Sequence, residues 1–300
     1  MSSVAEMFVQ LCTQGDSKRN ADLVTPEDVI RFDNILYGKN TKWNVLDIYR
    51  PREVEGDLPV IINVHGGGWV YGDKDVYQYY CMHLAQKGFV VVNFSYRLAP
   101  EYVFPASIED MNEVVSFTLA NCEKYGMDKN NIFLMGDSAG AHMAALYACI
   151  CTNSEYAQKY NFTVSEGFVP KAIVLNCGIY DAVSLVEDNG GIGRVLRSLL
   201  CDYIGKQSPE KEELELVSPI KHINEKYPPC LIMTSTGDFL RNQPDSLLPV
   251  LQENAVNYAY KIYGDEENTL DHVFHCDIRQ KDAIICNEDE AEYLLDLAKK

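Results

Sequence analysis

Apolar residues recur along the chain in short runs rich in β-branched side chains, and segments with helical spacing separate the runs. The runs at 43–50, 59–65, 89–97, 131–137, 172–180, 230–238 and 257–264 predict strands, and the segments at 74–87, 107–125, 139–152, 243–254 and 281–299 predict helices. Several strands are apolar at consecutive positions instead of alternating, as expected where helices cover both faces of a sheet. Strands alternating with helices in this way predict an α/β domain with a mostly parallel sheet.

Two stretches break the alternation. Residues 1–42 precede the first predicted strand, and TPED near 25–33 supplies a cap-like start for a short helix. Residues 181–228 separate two strands by far more than an ordinary connection and include the helical-looking GRVLRSLLCDYI. Insertions of that length usually serve as lids or small added domains. Both stretches are read as cap elements over one end of the sheet. No Pro/Gly/Ser-rich linker divides the chain, so 1–300 is read as a single domain.

Composition narrows the class. Hydrophobic residues make up 47% and charged residues 23%, close to globular averages. A net charge of −18 argues against nucleic acid and against anionic membrane surfaces as partners, since both reward basic patches. No apolar run approaches the ~20 residues of a membrane span. Glu6 interrupts the N-terminal apolar stretch and no basic segment precedes it, which argues against a secretory signal. Ten cysteines are scattered without a CxxC pair, the pattern of reduced, buried thiols in a cytoplasmic protein. Zinc-ligand spacing is absent.

The chemistry begins at Gly136-Asp137-Ser138-Ala139-Gly140, a G-x-S-x-G pentapeptide between a predicted strand and a predicted helix. In that context the motif is a nucleophile elbow, with the serine on a sharp turn and the Ala139 amide at a helix N-terminus. A serine hydroxyl needs a base, and the partners should follow it in the order acid, then histidine. His222, His272 and His275 lie downstream; His272 follows the last predicted strand and is preferred. Asp238 ends the strand before it and is the preferred acid, while Asp265, Glu266, Glu267 and Asp271 read as a solvated acidic loop.

A second glycine-dependent feature completes the set. VIINVHGGGWVYGD, at 60–73, sets three glycines directly after a buried-looking strand. Attack on an acyl carbonyl creates an oxyanion that needs donors already in place. The amides of Gly67, Gly68 and Ala139 would supply them, with His65 holding the loop. Trp69, Tyr71, Tyr77, Phe104, Tyr180 and Tyr203 are aromatic candidates for the pocket wall, although most aromatics are core. The acidic stretch 209–215 reads as a solvated face of the cap.

From about residue 44 onward these motifs resemble the hormone-sensitive-lipase-like family of α/β-hydrolases. His65 to Trp69 is similar to the family's HGGG motif and Gly136 to Gly140 to its GDSAG elbow. Tyr96-Arg97-Leu98-Ala99-Pro100-Glu101 with Phe104-Pro105-Ala106 resembles YRLAPExxFPA, Gly237 to Asn242 the acid motif, and His272-Val273-Phe274 the histidine motif. The resemblance implies a central eight-stranded, mostly parallel sheet flanked by helices with a cap, and the triad Ser138, Asp238 and His272. It also implies structural polar networks around Arg97 and Glu101. Phe239 stands where the family usually has proline, Asn242 where it has aspartate and Ala141 where a second glycine is frequent.

The expected function is a serine carboxylesterase acting on short-chain acyl esters through an acyl-enzyme, needing no metal or organic cofactor. A deacetylase of acetylated sugars or xylan fragments is the alternative within that class. A non-catalytic small-molecule-binding protein is the alternative outside it: the plant gibberellin receptors resemble the family but lack the catalytic histidine, which this chain keeps. The expected partner is a small-molecule ester. Dimerisation through the last strand and helix is common in this fold and is expected by analogy alone.

Overall fold

In a computed structural model the chain is described over residues 2–165, 167–187 and 190–299. Eight strands form one sheet: β1 (Val29–Leu36), β2 (Val45–Pro51), β3 (Leu58–Val64), β4 (Val90–Phe94), β5 (Met127–Asp137), β6 (Ile173–Asn176), β7 (Cys230–Ser235) and β8 (Tyr258–Tyr263). Their order across the sheet is β1-β2-β4-β3-β5-β6-β7-β8. β1 and β2 pair antiparallel, as do β2 and β4, and every other pair is parallel.

The helices in chain order are α1 (Ser3–Asn20), α2 (Lys74–Gln86), α3 (Ala106–Ala120), α4 (Cys122–Tyr125), α5 (Ala139–Thr152), α6 (Ser154–Ala157), α7 (Ala182–Glu187), α8 (Gly191–Ile204), α9 (Lys211–Leu216), α10 (Gln243–Glu253) and α11 (Lys281–Ala298). Successive side chains of a strand point to opposite faces, so the consecutive apolar runs feed two cores. Ile62, Val92 and Leu134 pack with α3 and α5 on one face; Ile61, Val91 and Phe133 pack with α2 and α11 on the other.

The short helix expected near 25–33 is not formed; β1 occupies 29–36 instead. This part of the N-terminal stretch is therefore sheet and not cap. Half-exposed on an antiparallel edge, VIRFDNIL lacks the all-apolar signature of the central strands, and pairing with β2 decides its conformation. Of the 181–228 insertion, α8 packs against α1 and α7, and α9 packs against α7, while Phe8 of α1 packs on the larger core. Positions 188–189 of that insertion lie outside the described residues.

Short loops bring four sequence-distant segments together. The 65–68 loop leaves β3, the serine turn leaves β5, the 236–242 loop leaves β7 and the 264–272 loop leaves β8. All lie at the carboxyl ends of parallel strands, where ligands gather in open α/β sheets.

Candidate active site

Ser138 has φ +52° and ψ −118°, a left-handed conformation that a serine adopts only when its surroundings enforce it. Its amide donates to the Asn176 carbonyl at 2.8 Å. The glycines on either side are required by space. A Cβ at Gly136 would fall on the Gly140 backbone, and one at Gly140 would fall on the Val64 carbonyl. Close packing within the elbow at Gly136, and of the elbow against β3 at Gly140, thus excludes a side chain at those positions.

His272 Nε2 lies 3.0 Å from Ser138 Oγ, and its Nδ1 lies 2.6 Å from Asp238 Oδ1. Asp238 also accepts from the Leu240 amide at 2.9 Å and the Thr234 hydroxyl at 2.8 Å. Burial works to raise this carboxyl, but the bond and charge of His272, with those two donors, outweigh it and hold it below the ordinary carboxylate range. An ionised Asp238 fixes the orientation of the imidazole ring.

The other histidines and acids considered from sequence stand elsewhere. His222 stacks on Tyr156 at 3.6 Å and meets the carbonyls of Glu215 and Leu216. His275 is buried with its ring edge-on to Tyr80. Asp265, Glu266, Glu267 and Asp271 are exposed.

Behind the serine, Gly66 donates its amide to both Tyr77 Oη and Asp137 Oδ1, each at 3.1 Å, while Tyr77 donates to Asp137 Oδ2 at 2.7 Å. Burial pushes the Asp137 carboxyl up to about 6 despite these donors. Gly67 (φ +114°) and Gly68 (φ +57°) follow in conformations that favour glycine. Among the described residues the amides of Gly67, Gly68 and Ala139 find no acceptor. They are available to a ligand oxygen.

His65 is neutral, burial lowering it to about 4, and its Nδ1 donates to the Gly66 carbonyl at 2.8 Å while the ring stacks on Tyr96. Arg97 binds Asp110 and Glu109 at 2.9 Å. Glu101 does not join that network; it is exposed and sits 3.9 Å from Lys42.

A cavity of about 280 Å³ opens over Ser138. Trp69, Tyr71 and Tyr77 line it as expected, but Phe104, Tyr180 and Tyr203 do not; they are core residues, Phe104 packing edge-on to Tyr203. Missed from sequence were Phe8, Cys12, Asp16 and Arg19, which α1 presents to the cavity. Their spacing of four, four and three places them on one helical face, a periodicity legible in MFVQLCTQGDSKR once a helix is assumed. Burial, followed by the Asp16 charge, pushes the Cys12 thiol up to about 12, so it stays protonated and does not compete as a nucleophile. Also missed was Phe239, whose ring lies 4.1 Å from that of His272.

Two trios carry metal-ligating atoms close together, Asp137–His275–Cys276 and Cys177–Asp238–His272. In both, the carboxylate already receives protein hydrogen bonds. No helix among the described residues is long and apolar enough to cross a membrane.

The chain is similar to several known proteins. An isoprenylcysteine alpha-carbonyl methylesterase from Arabidopsis thaliana is 31% identical over 215 residues, covering 69% of this chain and 48% of that protein. A probable carboxylic ester hydrolase of Mycobacterium tuberculosis, LipM, is 30% identical over 225 residues, covering 73% and 49%. The chain therefore spans about half the length of the curated relatives it matches. Among solved structures, esterase B from Lactobacillus rhamnosis superposes with a TM-score of 0.90 at 26% identity, over 99% of this chain and 94% of that one. The BD-FAE family model matches residues 46–248, and with this fold and these motifs the chain belongs to the BD-FAE family of hormone-sensitive-lipase-like α/β-hydrolases.

Proposed function

We propose that the chain is a serine carboxylesterase for short-chain acyl esters, with Ser138 as nucleophile, His272 as base and Asp238 as its orienting acid. The observation that carries this reading is the continuous chain Ser138 Oγ, His272 Nε2, His272 Nδ1, Asp238 Oδ1, with links of 3.0 and 2.6 Å beside three unpaired amides. In it, His272 takes the hydroxyl proton as Oγ bonds to the acyl carbon. Charge moves onto the carbonyl oxygen and meets the amides of Gly67, Gly68 and Ala139. The C–O bond to the alcohol then breaks, and His272 returns the proton to the leaving oxygen. Water repeats the sequence on the acyl-enzyme and releases the acid.

A cavity of about 280 Å³ lies below the usual range of ligand pockets, which supports a short acyl group. An esterase B structure inhibited by a C4–C4 tributyrin phosphonate, 25% identical with a TM-score of 0.87, supports the same chain length by analogy. Ten unpaired cysteines support a cytoplasmic location.

The test is hydrolysis of p-nitrophenyl esters from acetate to decanoate by wild type and Ser138→Ala. Activity concentrated at butyrate and below, and lost in the variant, is the expected result. Absence of hydrolysis by folded wild type would leave a binding function on the same scaffold.

A further inference from the structure

Beyond the catalytic cavity lies a second one, also of about 280 Å³, between α7, α8 and the start of α10. It is bounded by Ser184, Leu185, Asn242, Gln243 and Ser246. Among the described residues, Phe239 and Leu196 alone line both cavities. Two side chains therefore form the wall between them.

The wall sits on the apolar side of the site. Ile179, Leu196, Leu199 and Phe239 line the catalytic cavity there, whereas Asp16 and Arg19 of α1 also line an adjoining polar cleft that includes His272 and none of those four. The leaving alcohol must receive its proton from His272, and polar hydroxyl-bearing groups are at home beside Asp16 and Arg19. The hydrocarbon tail of the acid is at home among the leucines.

Leu196 is buried, but Phe239 is 40% exposed and so has room to turn outward. Resting on the imidazole ring and following directly on Asp238, it closes the cavity where the family motif usually carries a smaller proline.

We propose that Phe239, backed by Leu196, is the specificity-determining partition that limits the acyl chain, and that removing it admits medium-chain acyl groups into the second cavity. This rests on the esterase reading above. Opening the wall roughly doubles the space available to the chain, and in the second cavity Leu185 and Leu240 offer it apolar contact beside Ser184, Asn242, Gln243 and Ser246. A methylene accommodated in an apolar pocket changes discrimination by roughly 10-fold or more.

The experiment compares kcat/KM for p-nitrophenyl octanoate and butyrate in wild type, Phe239→Ala, Phe239→Trp and Leu196→Ala. A ratio cancels any general loss from disturbing His272. The expected result is an octanoate-to-butyrate ratio at least about 10-fold above wild type in Phe239→Ala, raised also in Leu196→Ala, and not raised in Phe239→Trp. The ratio of butyl to ethyl acetate hydrolysis should stay within twofold of wild type, because the alcohol is assigned to the polar cleft, which Phe239 and Leu196 do not line. If wild type is active on short esters and neither alanine variant shifts the acyl ratio beyond twofold, the partition is wrong while the esterase reading stands. A wild type that already prefers octanoate overturns both the short-chain reading and the partition. A wild type inactive on every ester overturns the esterase reading itself and the partition with it.

Discussion

The carboxylate of Asp137 receives the backbone amide of Gly66 at 3.1 Å across 71 positions of sequence, joining the residue before Ser138 to the glycine loop that leaves β3. Tyr77 closes the triangle by bonding to both. The loop and the serine are thus held against each other by one buried carboxylate and one phenol. A Cβ at Gly66 would fall on Asp137, so the approach admits only glycine.

Tyr77→Phe removes one donor from Asp137 and one acceptor from Gly66. Leaving buried polar groups short of a partner costs ~1–3 kcal/mol. If that cost loosens the loop, kcat should fall about 10-fold or more while KM changes less than threefold. Steady-state kinetics normalised to titrated active sites checks this, and an unchanged kcat would mean the triangle holds the fold without tuning the site.

Ser138→Ala should lose at least ~1,000-fold in kcat with little change in melting temperature. His272→Ala should be as damaging. His275→Asn keeps the His272–Ser138 contact, so its turnover per folded molecule should remain near wild type, although loss of a buried ring lowers stability. Inactivity of a folded His275→Asn together with an active His272→Ala would reverse the assignment of the base.

The two loop glycines separate strain from chemistry. At Gly67 a Cβ would fall on the Tyr71 carbonyl, so Gly67→Ala should destabilise the fold measurably in a thermal melt. At Gly68 a Cβ meets side-chain ends, Leu199 Cδ1 at 2.9 Å and the Phe8 ring at 3.2 Å, which have room to give. Its left-handed φ costs an alanine only ~1–2 kcal/mol. Gly68→Ala should therefore fold, with kcat reduced ~100-fold where the amide is displaced from the oxyanion. Full activity in that variant would remove Gly68 from the oxyanion site.

Glu290 of α11 lies buried under the sheet, bonded to Asn176 at 2.6 Å and Tyr80 at 2.9 Å, and burial pushes its carboxyl up to about 7. A folded-state value above the unfolded one means its contribution to stability is fully present below about 4.3 and lost as pH rises through about 7. Glu290→Gln cannot ionise. The difference in melting temperature, variant minus wild type, should therefore be more positive at pH 8 than at pH 4.5. A difference independent of pH would mean Glu290 does not titrate in this range.

What was legible in the sequence is what local chemistry controls. An elbow needs glycines around its serine, a donor loop needs glycines after its strand, and consecutive apolar strands need helices on both faces; each leaves its mark within a few residues. The seven strand assignments from 43 onward and the five helices assigned between them follow from such marks, as does the chain order of Ser138, Asp238 and His272. The sequence places these residues at strand ends, and the parallel sheet brings those ends together.

Three features depended on tertiary structure alone. β1 is a strand because β2 offers it an edge, and TPED followed by VIRFDNIL carries no comparable local preference. The stripe of α1 that roofs the cavity is too weakly amphipathic to announce its face, and packing against α8 and α2 selects the side that holds Phe8, Cys12, Asp16 and Arg19. Phe239 reads in sequence as a departure from a motif; its role as a wall exists only because folding sets its ring on His272 and α8 brings Leu196 beside it. Local covalent and steric demands write themselves into neighbouring residues, whereas a contact across hundreds of positions is settled by which surfaces the sheet and cap bring together.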